Sequence, residues 1–273
     1  MRLMLFTLLA CTLAGPCRAD EGFFTGEKPP AVRSIWSSVF ALVCESRKGV
    51  YTATAFLVGK AQGARRKDRA DYFFVTAGHA IGECKRTRRH LAENIGRPRF
   101  EEDGITVARP PRRLKHVKTV VVDDAYDLAV IKAEAPANAL RAAKPIKVDG
   151  RCSPELHQVL YAVGFPGVDQ RRSLHLKREE KRWSKGQIVG LGKADFRGSD
   201  GIYIASTVDS LPGSSGGPVV SETGRLVGVV AKGAATDENK YHYDVDPKDP
   251  RDWQTFLAPC TAVVRLLQKI GTE

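Results

Sequence analysis

The feature that most constrains this chain is the steady alternation of short apolar runs with turn residues. Ser38–Cys44, Tyr51–Val58, Tyr72–Thr76, Val117–Val122 and Leu128–Lys132 are rich in Val, Ile, Phe and Tyr, and each is bounded by Gly, Pro or charge. Val159–Val163, Gln187–Leu191, Ile202–Ser206, Pro218–Val220 and Leu226–Ala231 continue the series. Strands this short, at turn-punctuated spacing, predict an all-β barrel or sandwich architecture. One helix is expected, at the end of the chain. There Thr261 can cap a run in which Val263, Val264, Leu267 and Ile270 recur at helical spacing. With 42% hydrophobic and 27% charged residues over 273 positions, the composition is globular and excludes disordered, collagenous and coiled-coil chains.

The start of the chain sets the expected compartment. Met1-Arg2 precedes the apolar run Leu3 to Gly15, Pro16 breaks it, and Cys17-Arg18-Ala19 places small residues at both cleavage positions. Residues 1–19 therefore read as a secretory signal peptide cut before Asp20, and the protein is expected to be periplasmic or secreted. The alternative is an uncleaved anchor or a lipidated Cys11, but the run falls short of the about 20 apolar residues a spanning helix needs. No later stretch is apolar enough to span a membrane. Cleavage removes Cys11, Cys17, Arg2 and Arg18, so four cysteines remain of six, and a net charge of +10 of the original +12. An exported chain with an even cysteine count favours two disulfides. The stretch Ala135–Pro154, rich in Ala, Pro and Lys, divides the remainder into two expected domains, 20–145 and 146–273.

The positive charge is concentrated. From Lys60 to Lys118 there are 16 Lys and Arg against 7 Asp and Glu, including Arg65-Arg66-Lys67, Lys85-Arg86 and Arg88-Arg89. A second cluster, Arg171 to Lys185, holds 7 bases and 2 acids. No recognition helix, zinc finger or interleaved aromatic motif accompanies it, so no specific nucleic-acid partner is expected. Solvated loops account for such charge. A polyanion or an anionic envelope surface is the partner class that the patch leaves open.

Three local patterns carry chemistry. Phe73-Phe74-Val75-Thr76-Ala77-Gly78-His79-Ala80 sets a histidine just past a hydrophobic strand, with small neighbours that let the ring approach a partner. Asp127-Leu128-Ala129-Val130-Ile131 sets an acid at the mouth of another strand. Gly213-Ser214-Ser215-Gly216-Gly217-Pro218 leads into the strand Val219-Val220. A serine hydroxyl is a poor nucleophile at neutral pH. It needs a base for its proton, and that base needs a group that fixes its tautomer and stabilises its cation. Ser215, His79 and Asp127 are those residue types. The glycines around Ser215 let backbone N–H groups turn inward, and those of Gly213 and Ser215 can stabilise a tetrahedral oxyanion. Gly213-x-Ser215-x-Gly217 also fits the nucleophile elbow of α/β-hydrolases. That fold, however, runs serine, acid, histidine and follows its serine with a helix. Here histidine and acid come first and a strand follows. A metal site on His79 and Cys84 lacks supporting CxxC or HxxxH spacing, and neither a metal nor another cofactor is expected.

On Thr76-Ala77-Gly78-His79, Asp127-Leu128-Ala129 and Gly213-x-Ser215-Gly216-Gly217-Pro218, the chain resembles the trypsin/chymotrypsin-like serine proteases, closest to their exported bacterial members. The resemblance runs from about Ser38 to the C-terminal helix. It implies two six-stranded antiparallel β-barrels, the first carrying His79 and Asp127 and the second Ser215, with a protein or peptide substrate between them. It also implies that Ala231, Lys232 and Gly233 form the edge that pairs with substrate backbone, and that Asp209, six residues before Ser215, lies at the base of the specificity pocket. An Asp there pairs with Arg or Lys; Lys232 keeps a preference for acidic side chains open. Cys44 and Cys84 bracket His79 in sequence, and a Cys152–Cys260 pairing resembles the family. Four cysteines allow three connectivities, of which 44–84 with 152–260 is favoured.

Two departures qualify the resemblance. The expected mature start, Asp20-Glu21-Gly22, is not the apolar Ile-Val-Gly-Gly of trypsin-like zymogens, and Ser214 stands where those enzymes have Asp. No activating cleavage of that kind is therefore expected. The roughly 40 residues after Gly233 are well below an ordinary domain, so no PDZ domain is expected. The expected function is an exported serine endopeptidase. The alternatives are another acyl hydrolase with the same triad, and a catalytically silent protease-fold protein that binds anionic partners.

Overall fold

The computed structural model describes residues 26–271, apart from 47–48, 63–67, 85–87, 93–97, 102–103, 108–112, 115–116, 149, 151, 167–180, 194–200 and 233–254. The expected signal peptide and Gly233 lie outside the described residues. So do Arg65-Arg66-Lys67, Lys85-Arg86 and most of the Arg171–Lys185 cluster.

In chain order, the first half holds α1 (Pro30–Ile35), β1 (Val39–Ser46), β2 (Gly49–Gln62), β3 (Arg69–Ala77) and α2 (Gly78–Glu83). The strands β4 (Arg88–Ala92), β5 (Pro98–Glu101), β6 (Gly104–Val107), β7 (Arg113–Leu114), β8 (Lys118–Asp123) and β9 (Leu128–Pro136) follow. The second half holds β10 (Val159–Gly164), β11 (Arg182–Lys193), β12 (Ile202–Ser206), β13 (Pro218–Ser221), β14 (Leu226–Lys232), β15 (Thr255–Pro259) and α3 (Cys260–Gln268).

The fold is all-β, as expected. The second half closes into a six-stranded antiparallel barrel in the order β10-β11-β12-β15-β14-β13. The first half is a seven-stranded antiparallel sheet, β7-β4-β1-β2-β3-β9-β8, with β5 and β6 as a separate hairpin. It curls far enough that β7 touches β9. All ten strands expected from sequence are present, several of them longer than their apolar runs. Thr261 does not cap α3: Pro259 occupies the N-cap without a side-chain bond, and Thr261 lies exposed inside the first turn. Among the described residues no helix is long and apolar enough to cross a membrane.

The central strands of the first sheet bury both faces, which explains their nearly unbroken apolar runs. Along β1, Phe40, Leu42 and Cys44 point into one cluster and Val39, Ala41 and Val43 into another. On β9, Ala129, Ile131 and Ala133 face the first cluster and Leu128 and Val130 the second. The first cluster is the sheet's own interior, with Leu57, Tyr72 and Phe74 fully buried. The second joins the two halves, because Phe56, Val75, Leu128 and Val130 share it with Tyr161, Phe165, Tyr203, Val229 and the buried face of α3. Each large side chain buried this way contributes about 1.5–3 kcal/mol. Two disulfides form with the favoured connectivity. Cys44–Cys84 ties β1 to the end of α2 with 5.6 Å between Cα atoms, and Cys152–Cys260 ties the inter-sheet connection to the start of α3 with 5.8 Å.

Candidate active site

His79 is the second residue of α2, a short helix that turns the chain sharply away from the end of β3. Asp127 ends the turn before β9, the neighbour of β3 in the sheet, so strand pairing alone brings the two residues together. Three bonds then clasp them. Gly78 N–H donates to the Asp127 carbonyl at 2.7 Å, His79 N–H donates to Asp127 Oδ1 at 2.7 Å, and His79 Nδ1 meets Asp127 Oδ2 at 2.5 Å. The two side chains are 14% and 12% exposed, so the pair lies largely out of water. A carboxylate only accepts, so its bond at Nδ1 puts the ring proton there and leaves Nε2 as the basic nitrogen. Gly78 sits close against this pair: a Cβ would stand 3.1 Å from Asp127 Oδ1 and 3.2 Å from the Asp127 carbonyl carbon, so a side chain there would press on the acid.

Ser215 sits half-exposed on a tight turn between Leu211 and Pro218. Ser214 closes that turn on itself: its N–H donates to the Leu211 carbonyl at 2.8 Å and its Oγ accepts the Leu211 N–H at 3.2 Å. Gly216 and Gly217 are tied to β14, with Gly216 N–H to the Val230 carbonyl at 2.7 Å and Val230 N–H to the Gly217 carbonyl at 2.9 Å. Gly217 N–H donates to the Ser214 carbonyl at 2.9 Å. The N–H groups of Gly213 and Ser215, by contrast, have no acceptor among the described residues. Two such donors on one turn are able to bind an anionic oxygen.

The turn is also pinned to the first sheet. Thr54 N–H donates to the Ser215 carbonyl at 2.8 Å, and Thr54 Oγ1 donates to the Gly213 carbonyl at 2.7 Å. The same hydroxyl accepts the Phe165 N–H at 3.1 Å, and Thr76 Oγ1 donates to the Thr54 carbonyl at 2.7 Å. Two glycines permit this approach. Gly213 has φ +97° and lies against the Phe165 carbonyl; Gly216 has φ +84° and lies against the Thr54 carbonyl, Thr76 Oγ1 and Ala77 N. A side chain at either position meets both a left-handed backbone and a neighbour's oxygen. Gly216 thus rests on Thr76 and Ala77, the last residues of β3, and Ala77 stands two positions before His79.

The residues expected to bind substrate are placed as follows. Asp209 is half-buried, and its carbonyl accepts Ser184 Oγ at 3.2 Å. It lies between Val208 and Ser210, which are stitched to β15: Thr255 Oγ1 donates to the Val208 carbonyl at 2.6 Å and meets Ser210 Oγ at 2.9 Å. Ala231 is buried and forms a bulge, since β14 pairs with β15 at Val230–Leu257 and again at Lys232–Phe256. Ala231 and Lys232 therefore continue directly from Val230, which holds the Ser215 turn. Sequence reasoning missed Thr54, Phe165 as a bonding partner, and the tyrosines near Asp127. The only signal in the sequence is that Thr52 and Thr54 interrupt the apolar run Tyr51–Val58.

Residues 53–229 match the trypsin-like peptidase domain, a span that contains His79, Asp127 and Ser215. Over 161 residues the chain is 30% identical to Protease Do-like 8, chloroplastic, of Arabidopsis thaliana. The match takes in 57% of this chain but only 31% of that protein, about a third of its length. Among solved structures, the fold is similar to an HtrA-type protease, AlgW, in a serine-to-alanine form with a tripeptide. The TM-score is 0.58 and the identity 17%, over 88% of this chain and 62% of that one. It is also similar to Rv3671c of Mycobacterium tuberculosis, in the inactive form of a serine-to-alanine mutant. There the TM-score is 0.54 and the identity 18%, over 89% of this chain and 91% of that one.

Proposed function

The chain belongs to the trypsin-like peptidase family, and from that premise we propose that it is an exported serine endopeptidase acting through an acyl-enzyme. The observation that carries the proposal is the double clasp of Asp127 on the backbone and ring of His79. Ser215 Oγ attacks the scissile carbonyl as Nε2 of His79 takes its proton. Asp127 holds the ring in the required tautomer and stabilises the imidazolium that forms. The tetrahedral oxyanion accepts the N–H groups of Gly213 and Ser215, which face no competing acceptor among the described residues. On collapse, the imidazolium gives its proton to the leaving amine and the acyl group stays on Ser215. Water, activated by the same nitrogen, then releases the acid.

Residues 20–145 supply base and acid in this reading, and 146–273 the nucleophile. Extended substrate pairs with Ala231, Lys232 and Gly233 by strand addition. The carboxylate of Asp209 selects Arg or Lys beside the scissile bond, for which its half-buried position is suited. Because Ser214 closes the Ser215 turn with its own side chain, the turn needs no ammonium from a new N-terminus, and the chain is active without zymogen cleavage. Export rests on the leader reading of residues 1–19 and agrees with the two disulfides. An anionic partner is not part of the proposal, because most of the basic runs that suggested it lie outside the described residues.

The test is labelling with a serine-directed fluorophosphonate, followed by peptide mapping. Wild type labels at Ser215, and Ser215→Ala and His79→Ala label at background. A folded wild type that takes no label removes the enzyme claim and leaves a silent binding scaffold. A peptide library cut preferentially after acidic or small apolar residues removes the role given to Asp209 while leaving the triad intact.

A further inference from the structure

We propose that Tyr203 and Arg265, both from the second half of the chain, are positioning residues that hold the turn carrying Asp127. The inference rests on the assignment of Asp127 as the residue that orients His79. Asp127 has φ +51°, the left-handed region that a residue with a side chain occupies only at a cost. Such a conformation persists where its surroundings over-determine it. On one side Asp127 is held by its three bonds to Gly78 and His79. Those bonds cannot themselves set where His79 stands, because they join the two residues to each other and move with them.

Beyond the pairing of β3 with β9, a second reference comes from the other half of the chain. Within the turn, Ala125 N–H donates to Asp123 Oδ1 at 3.1 Å. Tyr203 on β12 is fully buried, and its hydroxyl donates to the Ala125 carbonyl at 3.1 Å. Its ring lies against Tyr126, with centroids 5.8 Å apart. Gly201, at the head of β12, comes so close that a Cβ would stand 2.7 Å from the Ala125 carbonyl oxygen and 2.8 Å from the Tyr126 ring. From α3, the Arg265 guanidinium covers the Tyr126 ring at 5.1 Å, and Lys269 Nζ lies 3.9 Å from Asp123. Thus every residue of the turn from Asp123 to Tyr126, apart from Asp124, has a described contact with the opposite half or the terminal helix, or bonds to one that has. The geometry couples the acid of the first sheet to the barrel that carries Ser215, so base and nucleophile are referred to one frame. A small displacement of a reacting group can cost a large factor in rate, which gives such a grip its value.

The experiment uses the full-length mature protein and the limiting rate of fluorophosphonate labelling at Ser215, with the half-saturating probe concentration measured alongside. Tyr203→Phe removes one hydroxyl and keeps the ring. It is expected to lower the limiting rate about tenfold without changing half-saturation. Tyr72→Phe is the control, since that hydroxyl is also part-buried and bonds at 3.0 Å to the Pro136 and Ala137 carbonyls, away from the turn. It is expected to lower thermal stability at least as much as Tyr203→Phe and to leave the labelling rate unchanged. Arg265→Gln lowers the rate several-fold and Arg265→Lys, which keeps the cation over the ring, restores most of it. In an Asp127→Asn background the Tyr203→Phe loss disappears, because there is no carboxylate left to position. Wild-type labelling by Tyr203→Phe, or a tenfold loss that persists undiminished with Asp127→Asn, overturns the inference. Wild-type labelling by Asp127→Asn alone overturns instead the assignment on which it rests.

Discussion

Thr54 carries more of the site than any residue outside the His79–Asp127–Ser215 set. Its hydroxyl satisfies the Gly213 carbonyl and the Phe165 N–H together, deep in the interior, and its N–H holds the Ser215 carbonyl. Thr54→Val keeps the shape and orphans both buried groups, at about 1–3 kcal/mol each. We expect a lower urea midpoint and a loss of activity of about tenfold or more, from the same substitution, because the Gly213 N–H shifts with its carbonyl. Residue-scale reading of the sequence proposes His79, Asp127 and Ser215, since each lies in a local pattern of small residues beside a strand. It could not reach Thr54, whose partners are 111 and 159 positions away. A titration is also expected at this scale. Burial pushes the Tyr72 hydroxyl above its ordinary value of 10.0. The unfolded chain therefore loses that proton first, and stability present below pH 10 declines as pH rises through the alkaline range. Urea midpoints between pH 9 and 11 should fall less steeply for Tyr72→Phe than for wild type.

Elements were legible where both faces are buried. β1, β2, β3 and β9 announce themselves as long apolar runs because alternate residues feed two different cores. The strands β4, β5 and β7 escaped notice because their sequences are charged or broken, as in Arg88-Arg89-His90 and Pro98-Arg99, and β6 because it is only the four residues Gly104–Val107. β15 escaped because five residues ending in Pro259 look like the entry to the helix that follows. The helix itself was legible by its period, and its cap was not: Pro259 opens it by backbone shape alone. The Cys44–Cys84 disulfide acts at this scale, closing a loop of 40 residues that contains β2, β3 and His79. Replacing both cysteines with Ala is expected to cost about 3–4 kcal/mol by loop entropy. Urea unfolding measures this, and activity per folded molecule should fall little, because the Asp127 clasp on His79 remains.

At the scale of the whole molecule, the two halves are joined by a shared apolar core and by α3, which starts at a disulfide on one side and ends against Asp123 and Tyr126 on the other. Such a core makes unfolding one event. Phe56, fully buried within it, is expected to cost about 3–5 kcal/mol when replaced by Ala. Tryptophan fluorescence and far-UV circular dichroism should still lose their signals at the same urea concentration, whereas two separated transitions would show that the halves are independent. In the proposed mechanism the same joint construction brings His79 of one sheet and Ser215 of the other together, and Ser215 is acylated there. The most direct measurement is the intact mass of the mature protein quenched with acid within milliseconds of mixing with an arginine p-nitrophenyl ester. The expected result is a transient mass increase equal to one acyl group, localised to Ser215 and absent from Ser215→Ala. Ester and peptide turnover with no acyl adduct on wild type, or an equal adduct on Ser215→Ala, would contradict it.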